Sequence, residues 1–502
     1  MKKVGFDTDK YLKEQSAYIL ERVENSEKLY LEFGGKLIGD KHAKRVLPGF
    51  DEDAKMKLLA SLKDQSEIII CVYAGDIERN KVRGDYGITY DRDVLRLIDE
   101  YRAYGIPVNS VLITRYREQP NVKIFMSKLE RSGIVVHTHK EIEGYPTNVE
   151  AIVGDNGFAS NSFIHTTKPL VVVTAPGAGS GKLATCLNQL YHEYANGNEA
   201  SYAKFETFPV WNMPLKHPVN SAYEAATVDL KDVNMLDNYH FEAYGEVAVN
   251  YNRDMEMFPV IRRIIEKITG KASVYQSPTD MGVNRLKSGI IDDELVCQAS
   301  MQEIIRRAFA IENDYIKGTA DDETLRHMQL ILEENGLKKE NRKTVTVARE
   351  YAEKVQKKLG SSNLQAVLAI ELPNGKVITG RTTPLMDASA AAIVNSLKSL
   401  ANISDEIDLL APMILETIKQ LKTNELKSKV PTLSANELLI ALAISAVTNP
   451  TASLAYKEIE HLKDAQAHST VMLNNENAQT IRMLGIDVTN DPVYPSDNLY
   501  YN

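Results

Sequence analysis

Apolar residues in the first third of the chain come in short unbroken runs, separated by stretches where they recur every three or four positions. The runs are Leu29–Phe33, Ile68–Tyr73, Ser110–Thr114, Ile134–His137 and Leu170–Thr174. Helical patterns at Tyr11–Lys28, Asp51–Lys63, Asp91–Tyr104 and Asn121–Arg131 stand among them. A continuous apolar run between helices marks a strand buried on both faces, so the spacing predicts a parallel sheet covered by helices. Beyond Trp211 the texture changes. Four amphipathic patterns, Glu246–Thr269, Asp292–Lys317, Asp321–Glu334 and Thr344–Leu359, predict a helical stretch. Strand returns at Gln365, where Ala366–Leu372 and Lys376–Thr379 flank Pro373, Asn374 and Gly375. Asn-Gly between two apolar runs is a hairpin turn. Helices are expected at Ala388–Leu400, Asp405–Leu421, Ala435–Val447 and Thr451–Leu462, and a last strand at Ser469–Leu473. The fold class is α/β: a mostly parallel sheet domain over 1–245 with a P-loop-like turn, a mostly helical region over 246–360, and a C-terminal α/β domain over 361–502.

The clearest strand, Leu170–Thr174, runs into Ala175-Pro176-Gly177-Ala178-Gly179-Ser180-Gly181-Lys182 and then a helical pattern reaching about Tyr194. A strand, a glycine turn and a helix start in this order aim several backbone N–H groups at one point, where the helix dipole adds partial positive charge. Glycines let the main chain curl tightly against an anion, and Lys182 can reach terminal phosphate oxygens. The segment departs from G-x-x-x-x-G-K-[ST] at two places. Pro176 stands at the first glycine, and Leu183 replaces the hydroxyl residue that would hold magnesium. Thr185, three positions beyond the lysine, is the available substitute. Gly177, Ala178, Gly179, Ser180, Gly181, Lys182 and Thr185 are therefore the expected phosphate-binding set. The dinucleotide pattern G-x-G-x-x-G fails at its third glycine, which is Lys182.

Other polar groups sit where a substrate could meet this turn. The block Tyr202–Glu224 is dense in aromatics and prolines and holds the single Trp; it reads as neither plain helix nor plain strand. It offers Lys204, Glu206, Lys216, His217 and Asn220. The loop Tyr275–Arg285 adds Asp280, Asn284 and Arg285, which capping and turn formation explain equally well. Asp76 follows the run Ile68–Tyr73, at the end of a strand where open α/β sheets bind ligands, and is the candidate magnesium partner. Asp387 reads as the N-cap of its helix. His137 and His139 share a strand face without further ligands, and His192-Glu193 lacks the second histidine of a zinc protease.

Composition narrows the class. A chain of 502 residues exceeds a single core, and its 43% hydrophobic and 25% charged residues are those of a globular protein. The net charge of −9 argues against general binding to nucleic acid or an anionic membrane. Cys71, Cys186 and Cys297 are too few and too scattered for a disulfide framework. The charged N-terminus lacks the apolar core of a signal peptide, and Leu438–Val447 is too short to span a membrane. A cytoplasmic location is the expectation.

The runs Val173–Thr185 and Tyr202–Asn212, with Lys216-His217-Pro218-Val219-Asn220 and Ala467–Leu473, resemble uncharacterised protein family 0371. That family comprises bacterial proteins of about this length. The resemblance covers the whole chain and implies several α/β and helical parts, including a P-loop-like segment. It implies no activity, so no catalytic residue is transferred. Three uses of the glycine turn stay open: an NTP-dependent enzyme, with magnesium, acting on a small metabolite; a non-catalytic nucleotide or phosphometabolite binder; and a structural or assembly protein. The expected partner is a small phosphate-bearing ligand, with a homo-oligomer left open.

Overall fold

The computed structural model describes residues 3–83, 87–360 and 366–496. The chain forms two compact units, Met1–Glu303 and Ile304–Asn502, and the division falls inside the helix Asp293–Ile316. The expected helical stretch over 246–360 straddles that division. Within it lie the helices Asn252–Thr269, Asp293–Ile316, Asp322–Glu334 and Lys343–Leu359.

The first unit is built on β1 (Lys28–Phe33), β2 (Ser66–Tyr73), the two-residue strands β3 (Val82–Arg83) and β4 (Ile88–Thr89), β5 (Val108–Thr114), β6 (Val135–Thr138), β7 (Leu170–Thr174) and β8 (Ala200–Phe205). Six of these form one sheet in the order β6-β5-β2-β7-β1-β8, with every neighbouring pair parallel. The unbroken apolar runs are explained by the two faces. Along β7, Val172 packs with Ile19, Leu58, Val94 and Leu97 on one side, while Val171 and Val173 pack with Cys186, Leu190, Phe258 and Ile261 on the other. Each fully buried Val or Leu contributes about 1.5–3 kcal/mol. Such a run therefore cannot leave the sheet interior without losing much of the unit's stability. From β2 the chain proceeds outward through β5 to β6, then returns to β7 on the opposite side of β2. The carboxyl ends of β2 and β7 thus flank the point where strand order reverses, the place where open parallel sheets form a crevice.

The block Tyr202–Glu224, expected to be neither plain helix nor plain strand, carries regular structure at both ends. Ala200–Phe205 is the edge strand β8, paired in register with β1, and Pro218–Ala226 is a helix capped by His217. The ladder to β1 supplies what local composition did not announce. Only the intervening residues form a loop. A ribbon of β9 (Asn234–Leu236) and β10 (Val249–Tyr251) follows before the helix Asn252–Thr269.

In the second unit β11 (Val367–Glu371) pairs antiparallel with β12 (Val377–Arg381) across the Asn-Gly turn, as the pattern predicts; Gln365 lies outside the described residues. β13 (Gln466–Ser469) and β14 (Asp487–Asn490) complete the order β12-β11-β13-β14, with β13 and β14 parallel. Leu368 and Ile370 face Ile393, Leu397, Leu438 and Leu442, whereas Val367 and Ala369 face Ala348 and Ala352. Two expectations need correction. The helix expected over Asp405–Leu421 runs from Pro412 to Gln420, because proline is suited to a first turn and restricts the residue before it. In place of the strand expected at Ser469–Leu473, the strand is Gln466–Ser469, since the ladders to β11 and β14 end at Ser469. Among the described residues, no helix is long and apolar enough to cross a membrane.

Candidate functional site

The glycine turn leaves β7 at the strand-order reversal and enters the helix Lys182–Ala195. Its shape is set by neighbours as well as by its own residues. Gly179 and Gly181 have φ of +72° and +91°, a region that side chains disfavour. A Cβ on Gly177 would lie 2.5 Å from the Tyr90 hydroxyl. The Thr114 hydroxyl at the end of β5 donates to the Ser180 carbonyl at 2.8 Å, and the Arg115 guanidinium donates to the Gly179 carbonyl. With carbonyls tied outward, the turn is held rather than loose.

A cavity of about 530 Å³ opens beside it, lined by residues from the carboxyl ends of β1, β7 and β8 and from the helix Asn252–Thr269. Gly177, Ala178, Gly179 and Lys182 line it, and so does Leu183. Of the expected phosphate set, Ser180, Gly181 and Thr185 are not in its wall. Thr185 is buried, donates to the Gly181 carbonyl at 2.8 Å and accepts from the Cys71 thiol. Its hydroxyl is spent inside the fold.

Across the cavity Lys204 projects from β8 into a group of carboxylates. Its Nζ lies 2.7 Å from Asp254 Oδ1 and 3.2 Å from Glu206 Oε2. Arg253 approaches Glu206 at 3.9 Å and the buried Asp232 at 3.5 Å, and the Tyr202 hydroxyl donates to Glu32 at 2.8 Å. Burial alone would lower the Lys204 pKa, but Asp254 and Glu206 override it and hold the ammonium above its ordinary value. Burial raises Glu206, and neighbouring Asp254 and Glu32 add to that against the opposing Lys204 and Arg253. Asp232 is also raised, first by burial. Glu206 packs so tightly on the turn after β1 that a Cβ on Gly34 would lie 2.5 Å from its Cγ.

Of the expected substrate residues, Lys204, Glu206 and Asn284 line the cavity and Lys216, His217, Asn220, Asp280 and Arg285 do not. Asn220 is fully buried and holds the Val210 N–H at 2.8 Å. Asp280 closes a capping box with Ser277, and Arg285 stacks 3.6 Å over the Tyr18 ring. Asp76 is buried against Arg79 and Lys81. The cavity residues Glu32, Arg253 and Asp254 were not singled out by sequence. Glu32 alone left a trace, as a charge inside an apolar strand, whereas Arg253 and Asp254 look like ordinary first-turn charges of a helix.

His217, Asp293 and Cys297 also converge, with His217 Nε2 at 3.2 Å from Asp293 Oδ1 and 3.5 Å from Cys297 Sγ. However, His217 Nδ1 accepts the Val219 N–H at 3.2 Å. That bond places the ring proton of the neutral imidazole on Nε2, so the nitrogen facing Asp293 and Cys297 is a donor and not a metal ligand.

The chain matches the domain of unknown function DUF1846, N-terminal, over residues 4–336 and its C-terminal counterpart over residues 340–500. It is 63% identical over 500 residues to a UPF0371 protein of Clostridium botulinum (strain Kyoto / Type A2), covering all of both chains. The chain belongs to the UPF0371 family. Relatives in Clostridium tetani (strain Massachusetts / E88) and Clostridium botulinum (strain Alaska E43 / Type E3) are 62% and 60% identical over the same full length. The family assignment agrees with the resemblance carried by the Val173–Thr185 and Tyr202–Asn220 segments, both of which enter this UPF0371 cavity or its wall.

Proposed function

We propose that this protein binds a small phosphate-bearing metabolite, with a phosphate on the Gly177–Lys182 turn and the reacting part beside Lys204, Glu206 and Asp254. The observation that carries the reading is that one cavity at the carboxyl ends of parallel strands is lined by both groups. Backbone N–H groups at the start of a 14-residue helix, with Lys182, suit an anion. A carboxyl raised by burial, as in Glu206, suits a group that takes part in proton transfer. On this reading Lys204 is a fixed cation that orients the ligand, Glu206 is the acid or base, and Asp254 holds the lysine. Use of the turn for magnesium-dependent NTP hydrolysis has less support, since Leu183 faces the cavity and the Thr185 hydroxyl is engaged in the fold.

The second reading is a non-catalytic binder of a nucleotide or phosphometabolite. It is favoured by the ion pairs that close Lys204 on both carboxylates. Either role fits a reducing cytoplasm, because all three cysteines are unpaired.

Thermal unfolding in the presence of nucleotides and phosphorylated metabolites tests the binding claim. A ligand at a hundred times its Kd adds about 2.7 kcal/mol, which raises the midpoint by several degrees. Lys182→Ala should remove that shift with the ligand-free midpoint nearly unchanged. A shift that survives Lys182→Ala, or no shift from any member of the panel, overturns the proposal.

A further inference from the structure

The helix Ala435–Ser445 carries most of the apolar stretch Leu438–Val447, yet only one side of it is used in the core. Leu438, Ala441, Leu442 and Ser445 are buried, and the first three share a core with Ile393, Leu397 and Ile481. At 3.6 residues per turn, Ile440 and Ile444, continued by Val447 just past the helix end, lie on the opposite side. These three are 54%, 67% and 82% exposed. Ala443, on the same side, is half-buried.

A helix that is apolar all round is normally covered all round. Elsewhere in this unit a helix that faces water carries charge: Lys343–Leu359 turns Glu353, Lys354, Lys357 and Lys358 outward. Between Glu437 and Lys457, however, the chain contains no Asp, Glu, Lys, Arg or His. The exposed parts of Ile440, Ile444 and Val447 amount to roughly 350 Å², the size of the largest apolar patches on typical monomers, which are often functional. All three are β-branched, so little side-chain freedom is lost when such a stripe is covered.

The shape of the stripe and its lack of charge decide what covers it. A helix that lies on an anionic bilayer carries Lys or Arg along its polar side. Here the flanking charges are Lys457 and Glu437, whose carboxylate accepts from the Ser434 N–H and the Lys422 ammonium. A partner of different sequence is selected by complementary charge, and the stripe offers none. It is complementary to itself. A two-fold axis beside Ala443 sets Ile440 of each copy against Val447 of the other, and the small Ala443 side chains at the centre let the two helices approach closely. A standard interface takes about 800 Å² from each partner. The stripe supplies its apolar centre, and Asn436 and Thr448, exposed at the two ends, begin its polar rim.

We infer that this face binds a second copy of the chain, the two Ala435–Ser445 helices pairing antiparallel across a two-fold axis. The protein is then a dimer held through its second unit, whatever the cavity of the first unit binds.

Sedimentation velocity of the full chain, from micromolar to submillimolar concentration, tests this pairing. The parent should form a dimer whose share rises with concentration. Ile444→Glu puts two carboxylates near the axis and should raise the dimer dissociation constant about thirtyfold or more. Ile440→Glu should act in the same direction. Both side chains are more than half exposed in the single chain, so thermal midpoints at the lowest concentration should stay within about 2 °C of the parent. A mixture of Ile444→Glu and Ile444→Lys should recover the dimer that neither variant forms alone. A parent that stays monomeric throughout, or a dimer that both glutamate variants leave intact, overturns the proposal. A monomeric parent that floats with phosphatidylglycerol vesicles assigns the stripe to a bilayer instead.

Discussion

Each unit contains a lysine or arginine gathered against carboxylates, and the two groups titrate in opposite directions. In the second unit Arg349 meets Asp491 through two bonds, Nη2 to Oδ1 at 2.6 Å and Nε to Oδ2 at 3.2 Å. His468 Nε2 lies 3.5 Å from Asp491, and its Nδ1 is 2.8 Å from the Thr489 hydroxyl. Burial would raise Asp491, but His468 and Arg349 override it and hold its carboxyl down at about 2. In the first unit Glu206 shares Lys204 with Asp254, and its carboxyl is raised. The difference is one of supply. Asp491 has cationic or polar neighbours on each side, whereas Glu206, Asp254, Glu32 and Asp232 share Lys204 and Arg253 at a cavity. A group satisfied from within contributes to folding. On the binding role proposed above, a group short of cations and facing open volume is where the ligand would sit.

The largest expected effect comes from breaking the closed group. Asp491→Asn should lower stability at pH 7 by about 2–3 kcal/mol, the amount linked to a carboxyl pKa depressed from about 3.9 to about 2. Because the folded pKa is depressed, this contribution is present above the unfolded value and is lost as pH falls from about 4 toward 2. Urea midpoints at pH 7 and pH 3 measure it. An Asn variant as stable as the parent at pH 7 would erase the contrast between the units.

His139 gives a control in the first unit that lies outside the cavity wall. Burial lowers its pKa to about 4, with its Nε2 2.9 Å from the Ser162 carbonyl. The unfolded chain takes up the proton near pH 6.5 and the folded chain near 4, so stability falls as pH drops through that window. At pH 5 the loss is about 2 kcal/mol. His139→Gln should flatten the decline between pH 7 and pH 5, measured by denaturant unfolding. An unchanged decline would assign it to other groups.

The smallest effect on folding, and the sharpest on function, belongs to Glu206→Gln. A raised carboxyl pKa stabilises the fold below the unfolded value, and that contribution is lost as pH rises through the folded value. The Gln variant should therefore show a flatter decline of stability as pH rises above the ordinary glutamate range, measured by denaturant unfolding. It should retain phosphate-ligand binding and lose turnover. Full turnover of a bound phosphometabolite in Glu206→Gln would remove the acid–base role and leave the binding reading.

Much of this protein is legible in its sequence. Leu170–Thr174 had to be an interior strand because nothing in it can face water, and the glycines after it had to form a turn because two of them adopt positive φ. Hairpin, helix caps and helical stretches followed from equally local chemistry, as with Asp387 holding the Ala390 N–H at 2.8 Å. The site was read only in part. Lys182, Lys204, Glu206 and Asn284 were singled out and do reach one cavity. Thr185 was chosen for its spacing and faces the interior, because one turn of helix rotates its hydroxyl onto Gly181 and Cys71.

What the sequence determined by itself is whatever depends on neighbours along the chain: the buried strands, the glycine turn, the hairpin, most helices and the family. What only the tertiary structure decided is which charges meet. Glu32 and Asp254 stand more than 200 positions apart and converge on Lys204's cavity because β1 is inserted between β7 and β8. Tyr90 fills the space beside Gly177 because the helix that it begins packs against the glycine turn. Coulombic interaction depends on distance in space and on the water excluded between charges, and neither quantity is written in the spacing of residues along the chain.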